Sequence, residues 1–213
     1  MKKLTLLLFV IMAFSNSFAK VIPGEHNFSL CMGIGSSSFN SGFTSGSCES
    51  FCVKWESAFF PRLFTKNAFF DVGIEALGFE AKSKQRDNKL SFANISVPLN
   101  IGYRFPVNNI INVFCKAGYI GTFCFNYDWE TPLNTCDDDY DVYISGGGLD
   151  YADLYSQYYG SLSATIGVDI IKHIQVGVSY RYGLQGLNEN DNNLNSDMKT
   201  RVIIMTVGYV FRN

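Results

Sequence analysis

Apolar side chains recur at every second position in eight separate stretches of this chain, with polar or small residues between them. A period of two is the period of a β-strand, so one face of each strand meets an apolar medium and the other a polar one. The fourth stretch reads most cleanly: Ile95, Val97, Leu99, Ile101, Tyr103 and Phe105 alternate with Asn94, Ser96, Pro98, Asn100, Gly102 and Arg104. The first sets Phe28, Leu30, Met32 and Ile34 against Asn27, Ser29, Cys31 and Gly33, and the second sets Phe51, Val53 and Trp55 against Cys52, Lys54 and Glu56. In the third, Phe70, Val72, Ile74 and Ala76 oppose Asp71, Gly73 and Glu75. The fifth opposes Ile111, Val113, Cys115, Ala117 and Tyr119 to Asn112, Phe114, Lys116 and Gly118. The sixth and seventh carry Leu162 to Ile170 and Ile174 to Tyr182 in the same way. The last runs Ile203, Met205, Val207, Tyr209, Phe211, its second face weakened by Val202, Ile204 and Val210. With 19 glycines, 5 prolines, 19 Phe and 12 Tyr, the composition suits strands and turns, and the chain is expected to be all-β.

The apolar face could point into a soluble barrel, as in a lipocalin, or out into lipid. Two features favour lipid. The stretches have about the 9 to 11 residues that a tilted strand needs to cross hydrocarbon. The opposite face is rich in Gly, Ser and Asn and poor in charge, unlike a solvated exterior. The connections alternate as well. Those at 36–50, 82–91, 126–157 and 184–199 are long, and those at 61–67, 106–109 and 171–173 are short. Outer-membrane barrels pair long external loops with short periplasmic turns. The expected fold is an eight-stranded antiparallel up-and-down transmembrane β-barrel, with both termini in the periplasm.

The polar face carries Lys54, Arg104, Lys116 and Arg181 together with Glu56, Asp71, Glu75 and Asp169. An unpaired buried charge costs several kcal/mol, so four cations and four anions on an enclosed face predict an internal ion-pair network. Eight strands leave an interior that side chains nearly fill. The lumen is therefore expected to be plugged. Aromatic residues near the strand ends suggest two rim belts: Phe59, Phe69, Tyr103, Phe105, Tyr209 and Phe211 at the short-turn end, and Phe51, Phe79, Phe92, Phe123, Tyr158 and Tyr182 at the other.

Residues 1–19 read as a cleaved secretory signal, leaving 20–213 as the barrel domain. Lys2 and Lys3 precede the apolar run from Leu4 to Phe14, and small residues stand at Ser17 and Ala19. Removal would leave fifteen basic against nineteen acidic residues, a formal charge of −4. That mild acidity excludes nucleic acid as an expected partner.

The stretch Ile95-Ser-Val-Pro-Leu-Asn-Ile-Gly-Tyr-Arg-Phe105 resembles the signature strand of the outer-membrane β-barrel domain family, the small bacterial proteins called PorT-like or OmpX-like. Lys116-Ala-Gly-Tyr-Ile-Gly121 and Tyr180-Arg-Tyr-Gly-Leu184 are similar to two more of its strands. The closing Val207-Gly-Tyr-Val-Phe211 resembles the aromatic-ended strand that the barrel-assembly machinery recognises, although Arg212 and Asn213 follow it here. The resemblance implies an envelope location and insertion by that machinery. It implies no particular activity.

Signs of chemistry are few. His26 and His173 both fall at the short-turn end, with no Ser-His-Asp arrangement around them, so no catalytic residue and no cofactor is expected. Cys31 and Cys52 share the inward face, and Cys124 and Cys136 bracket the start of the third long connection, with Cys48 available from the first. These are the disulfide candidates of an oxidising compartment, their connectivity open. Cys115 is expected to face lipid as a free thiol. Asp137, Asp138, Asp139 and Asp141 could hold Ca²⁺, but their spacing fits no EF-hand, and a solvated acidic loop near lipopolysaccharide phosphates reads better. The Tyr and Trp content of that loop also suits a protein partner. The leading functional expectation is a non-enzymatic outer-membrane barrel with a structural or surface-interaction role. A small transport conduit and a lipid-modifying outer-membrane enzyme are the alternatives.

Overall fold

In the computed structural model, residues 26–39, 43–58, 67–83, 89–133, 142–147, 158–171, 173–184 and 199–212 are described, and all regular structure among them is β. The strands are β1 (His26–Phe39), β2 (Phe43–Thr44), β3 (Gly46–Ala58), β4 (Ala68–Ser83), β5 (Lys89–Pro106), β6 (Ile111–Leu133), β7 (Val142–Gly147), β8 (Tyr158–Ile170), β9 (Ile174–Gly183) and β10 (Thr200–Arg212). Eight of them form a closed antiparallel ring, in which β1, β3, β4, β5, β6, β8, β9 and β10 each pair with the next and β10 returns to β1. The closing register runs from Asn27 opposite Arg212 to Phe39 opposite Thr200. Closure gives every long strand two neighbours, so no edge of the ring is left unsatisfied in a medium without hydrogen-bonding partners. No helix among the described residues is long and apolar enough to cross a membrane; this fold presents strands instead.

The barrel is inside-out relative to a soluble protein. Met32, Ile34, Ile74, Leu99, Ile101, Ile166, Met205 and Val207 stand on the outer wall, whereas Ser29, Asp71, Glu75, Ser96, Asn100, Thr165, Asp169 and Arg181 are buried inside. Neighbouring residues of one strand make the point most sharply. Ile203 is 53% exposed and Ile204 0%. The second face of the last strand is apolar because Val202, Ile204 and Val210 all turn inward.

Strands outrun their alternating patterns. β1 continues to Phe39, β3 starts at Gly46, β4 reaches Ser83 and β5 starts at Lys89, so much of the connection expected at 36–50 and both ends of the one expected at 82–91 are strand. β6 extends to Leu133 and takes β7 as a partner from Asp128 opposite Gly147 to Leu133 opposite Val142, so the connection expected at 126–157 begins as a β-ribbon. Backbone pairing remains favourable beyond the hydrocarbon, while the demand for a greasy outer face ends there. The apolar signal therefore stops before the strand does.

The connection between β5 and β6 is short, as expected. Asn108 Oδ1 accepts from the backbone N–H groups of Ile110 and Ile111 at 2.8 and 2.7 Å, tightening the β5–β6 turn. β1 starts and β10 ends at this same end of the barrel. Here Tyr103 packs on Phe105 (4.7 Å between ring centres), Tyr209 on Phe211 (4.9 Å) and Trp55 on Phe70 (5.3 Å). At the opposite end Phe123 and Tyr158 are exposed. Three residues assigned to the belts are corrected by the structure: Phe69, Phe79 and Phe92 are buried in the lumen. Each falls on the polar parity of its own strand, and parity governs which way a side chain points. Phe59 lies outside the described residues, as do residues 1–25.

Candidate functional site

The lumen is the built site of this molecule, and it is layered from the short-turn end upward. Near that end, Arg104 of β5 reaches two carboxylates at once. Its Nη1 and Nη2 donate to Glu56 Oε1 and Oε2, both at 2.5 Å, and its Nε donates to Asp169 Oδ2 at 2.7 Å. Asn27 Nδ2 donates a further bond to Glu56 Oε1 (2.9 Å), and Gln175 Nε2 donates to the other oxygen of Asp169, Oδ1 (3.0 Å). The Phe69 ring lies 4.2 Å from the Arg104 guanidinium carbon, which explains its inward place: it covers a planar cation.

In the next layer Lys116 Nζ meets Asp71 Oδ2 at 2.5 Å, and Asn100 Nδ2 donates to the other oxygen of Asp71 at 2.6 Å. Ser163 Oγ then donates to Asn100 Oδ1 at 2.9 Å, so the chain of bonds continues to the wall. The layer above holds Arg181 and Glu75, paired at 2.8 Å through both oxygens. The hydroxyl pairs Ser96 with Thr122 (3.0 Å) and Thr165 with Ser179 (2.6 Å) fill in around these layers.

Every one of these ion pairs skips at least one strand. β5 carries Arg104 and lies two places from β3 and from β8; β6 with Lys116 lies two places from β4; β9 with Arg181 is diametrically opposite β4 with Glu75. The bonds therefore tie wall to wall across the interior instead of following the sheet. Bidentate guanidinium–carboxylate contacts fix orientation as well as charge, which suits Arg at two of the three positions.

Of the eight charged residues expected in the lumen, seven are thus joined directly. The eighth, Lys54, lies half-buried on β3, its stem beside Gly73, and acts on Asp71 and Glu75 through space. The three positive charges Lys54, Lys116 and Arg181 surround two carboxylates, while Arg104 alone answers two. Balance is reached over the lumen as a whole and not within each layer.

Toward the long-loop end the polar interior gives way to an apolar lid that pattern reading missed. Phe39, Leu77, Phe79, Phe92, Tyr159, Val202 and Ile204 form one buried cluster together with Cys48 and Cys124. Phe79 stacks on Phe92 at 4.8 Å, and Phe39 lies 5.9 and 6.1 Å from these two rings. The signal was present in the sequence: carried past the end of each apolar stretch, the inward parity of β4 and β5 lands on Phe79 and Phe92.

The remaining candidates are placed as follows. Cys31 and Cys52 are direct register partners, yet both carry free thiols; Cys31 Sγ lies 3.9 Å from Ser29 Oγ and Cys52 Sγ 3.8 Å from the Val53 carbonyl. Cys124 is buried in the lid, and Cys136 lies outside the described residues. Cys115 is an exposed free thiol on the outer wall. His26 stacks on Trp55, and His173 stacks on Tyr209 with Nδ1 3.0 Å from the Val210 carbonyl oxygen. Asp137, Asp138, Asp139 and Asp141 lie outside the described residues, and among those described no cluster of His, Cys, Asp and Glu is arranged to hold a metal ion.

A closed ring of strands with a hydrogen-bonded, charge-paired interior and an apolar outer wall defines an integral membrane β-barrel. The chain belongs to the outer membrane protein β-barrel domain family, whose model matches residues 5–211. Among solved structures it is similar to the outer membrane enzyme PagL, with a TM-score of 0.50, 11% identity, and coverage of 84% of this chain and 97% of that one. It is also similar to OprG from Pseudomonas aeruginosa (TM-score 0.47, 12% identity, 89% and 97% covered) and to the attachment invasion locus protein Ail of Yersinia pestis (0.44, 13%, 89% and 100%). At 11% identity the likeness to PagL establishes the fold alone. No curated protein matches the chain. The family places it in the bacterial outer membrane.

Proposed function

We propose that this chain is a non-enzymatic structural barrel of the outer membrane, whose loop-bearing end meets partners outside the cell and whose lumen does not conduct. The observation that carries this reading is the filled interior: wall-to-wall ion pairs in three layers, closed at the loop end by the packed rings of Phe39, Phe79 and Phe92. In this reading residues 1–19 are removed on export, both termini lie in the periplasm, and the long connections face lipopolysaccharide and a protein partner. The barrel-assembly machinery inserts it through the closing strand. The short-turn end, which holds the start of β1 and the end of β10, supports the orientation. Purified protein in a planar bilayer is expected to give no unitary conductance steps. Steady steps of one size would overturn the plugged lumen and favour a conduit.

A further inference from the structure

On the short-turn side of the middle of the outer wall, between β5 and β9, small side chains form a floor between larger ones. Ala117 of β6 and Ala164 of β8 are register partners there, and Cys115 lies two residues closer to the short-turn end; all three are exposed. One outward position further up, the equivalent partners are Tyr119 and Leu162. On the flanking strands Ile101 and Tyr103 of β5 stand opposite Ala117 and Cys115, and Tyr180 of β9 stands opposite Ala164. Small floor residues between tall walls leave a cleft of about 780 Å³.

We propose that this cleft is a binding site for one acyl chain of a phospholipid. The cleft opens on the lipid-facing wall and is continuous with it, so its occupant comes from the hydrocarbon that already covers that wall. A chain lying in a cleft is touched on three sides, where a chain against a flat wall is touched on one. Close packing of small residues is the usual source of affinity in a medium that offers no hydrophobic driving force. The choice of phospholipid over lipopolysaccharide rests on the proposed orientation, which puts this half of the wall in the periplasmic leaflet.

The test is native mass spectrometry of the full barrel, folded into vesicles of phosphatidylethanolamine and phosphatidylglycerol with added lipopolysaccharide and released in mild detergent. Three chains are compared: wild type, a cleft-filling A117F/A164L variant, and Met32→Phe, which adds a ring to the outer wall of β1, a strand that contributes nothing to the cleft. Wild type and Met32→Phe are expected to carry one phospholipid, and the filled variant to lose it while keeping the unboiled gel mobility of a folded barrel. Should A117F/A164L fail to fold, Ala164→Leu alone carries the same expectation. Retention of the lipid by the filled variant, its absence from wild type, a lipopolysaccharide adduct, or a dimer in its place would each overturn the proposal. Failure of the outward-wall reading itself would be seen separately, as loss of folding in Met32→Phe.

Discussion

At the scale of single residues, the lumen charges carry the most legible signal. Parity alone assigned Lys54, Glu56, Asp71, Glu75, Arg104, Lys116, Asp169 and Arg181 to one face. Their pairing was not legible, because Arg104 meets Glu56 and Asp169 across strands that are not neighbours, and that depends on how tightly the sheet curls. Arg104 holds two otherwise uncompensated carboxylates. Removing one partner of a buried charge group costs about 3–5 kcal/mol, far more than the net worth of the pair. Arg104→Met is therefore expected to destabilise the folded barrel by roughly that amount, seen as a lower urea midpoint in vesicles. Adding Glu56→Gln and Asp169→Asn should restore most of the loss, since the triple variant buries no charge there. An unchanged midpoint in Arg104→Met would show that the carboxylates are solvated.

At the scale of strands, closure depends on where the inner face has no side chain at all. A Cβ on Gly118 of β6 would meet the Leu99 carbonyl oxygen at 2.0 Å and Asn100 Oδ1 at 2.6 Å, so the backbone of β5 occupies the space any larger residue needs. Gly118→Ala is expected to lose about 1–3 kcal/mol from forced backbone shifts and to lower the folded fraction on an unboiled gel. Ala76→Leu, on the exposed outer face of β4, should leave that fraction unchanged. An equal effect of the two would refute the assignment of faces. Strand existence and face were legible because lipid imposes a strict period of two over the crossing. Strand ends were not, because the pairing of β6 with β7 and the reach of β4 and β5 continue where that demand no longer applies. The misplaced rings have the same origin: Phe79 and Phe92 were read from their position near a rim when their parity pointed inward.

At the scale of the whole molecule, the fold could be read from the sequence because an outer-membrane barrel inverts the ordinary distribution of polarity, and an inversion repeated eight times leaves little choice of architecture. The particular role could not. The wall and lumen that the pattern encodes are common to barrels of many roles, and the connections are under no such periodic constraint. The lid of Phe39, Phe79, Phe92, Tyr159, Val202 and Ile204 and the ion pairs beneath it form two barriers of opposite polarity in series. Water and ions tolerate the first poorly, and apolar solutes the second. That arrangement fits a body that anchors its loops better than one that passes solutes.

Ile203 and Ile204 of β10 provide the most direct test of this account, since adjacent residues of one type are assigned opposite surroundings. With isoleucine methyl groups labelled and the barrel in a phospholipid nanodisc, nuclear Overhauser contacts to acyl-chain protons are expected from Ile203 and absent from Ile204, whose methyl groups should instead contact lumen side chains. Acyl-chain contacts from Ile204, with Ile203 shielded, would contradict it.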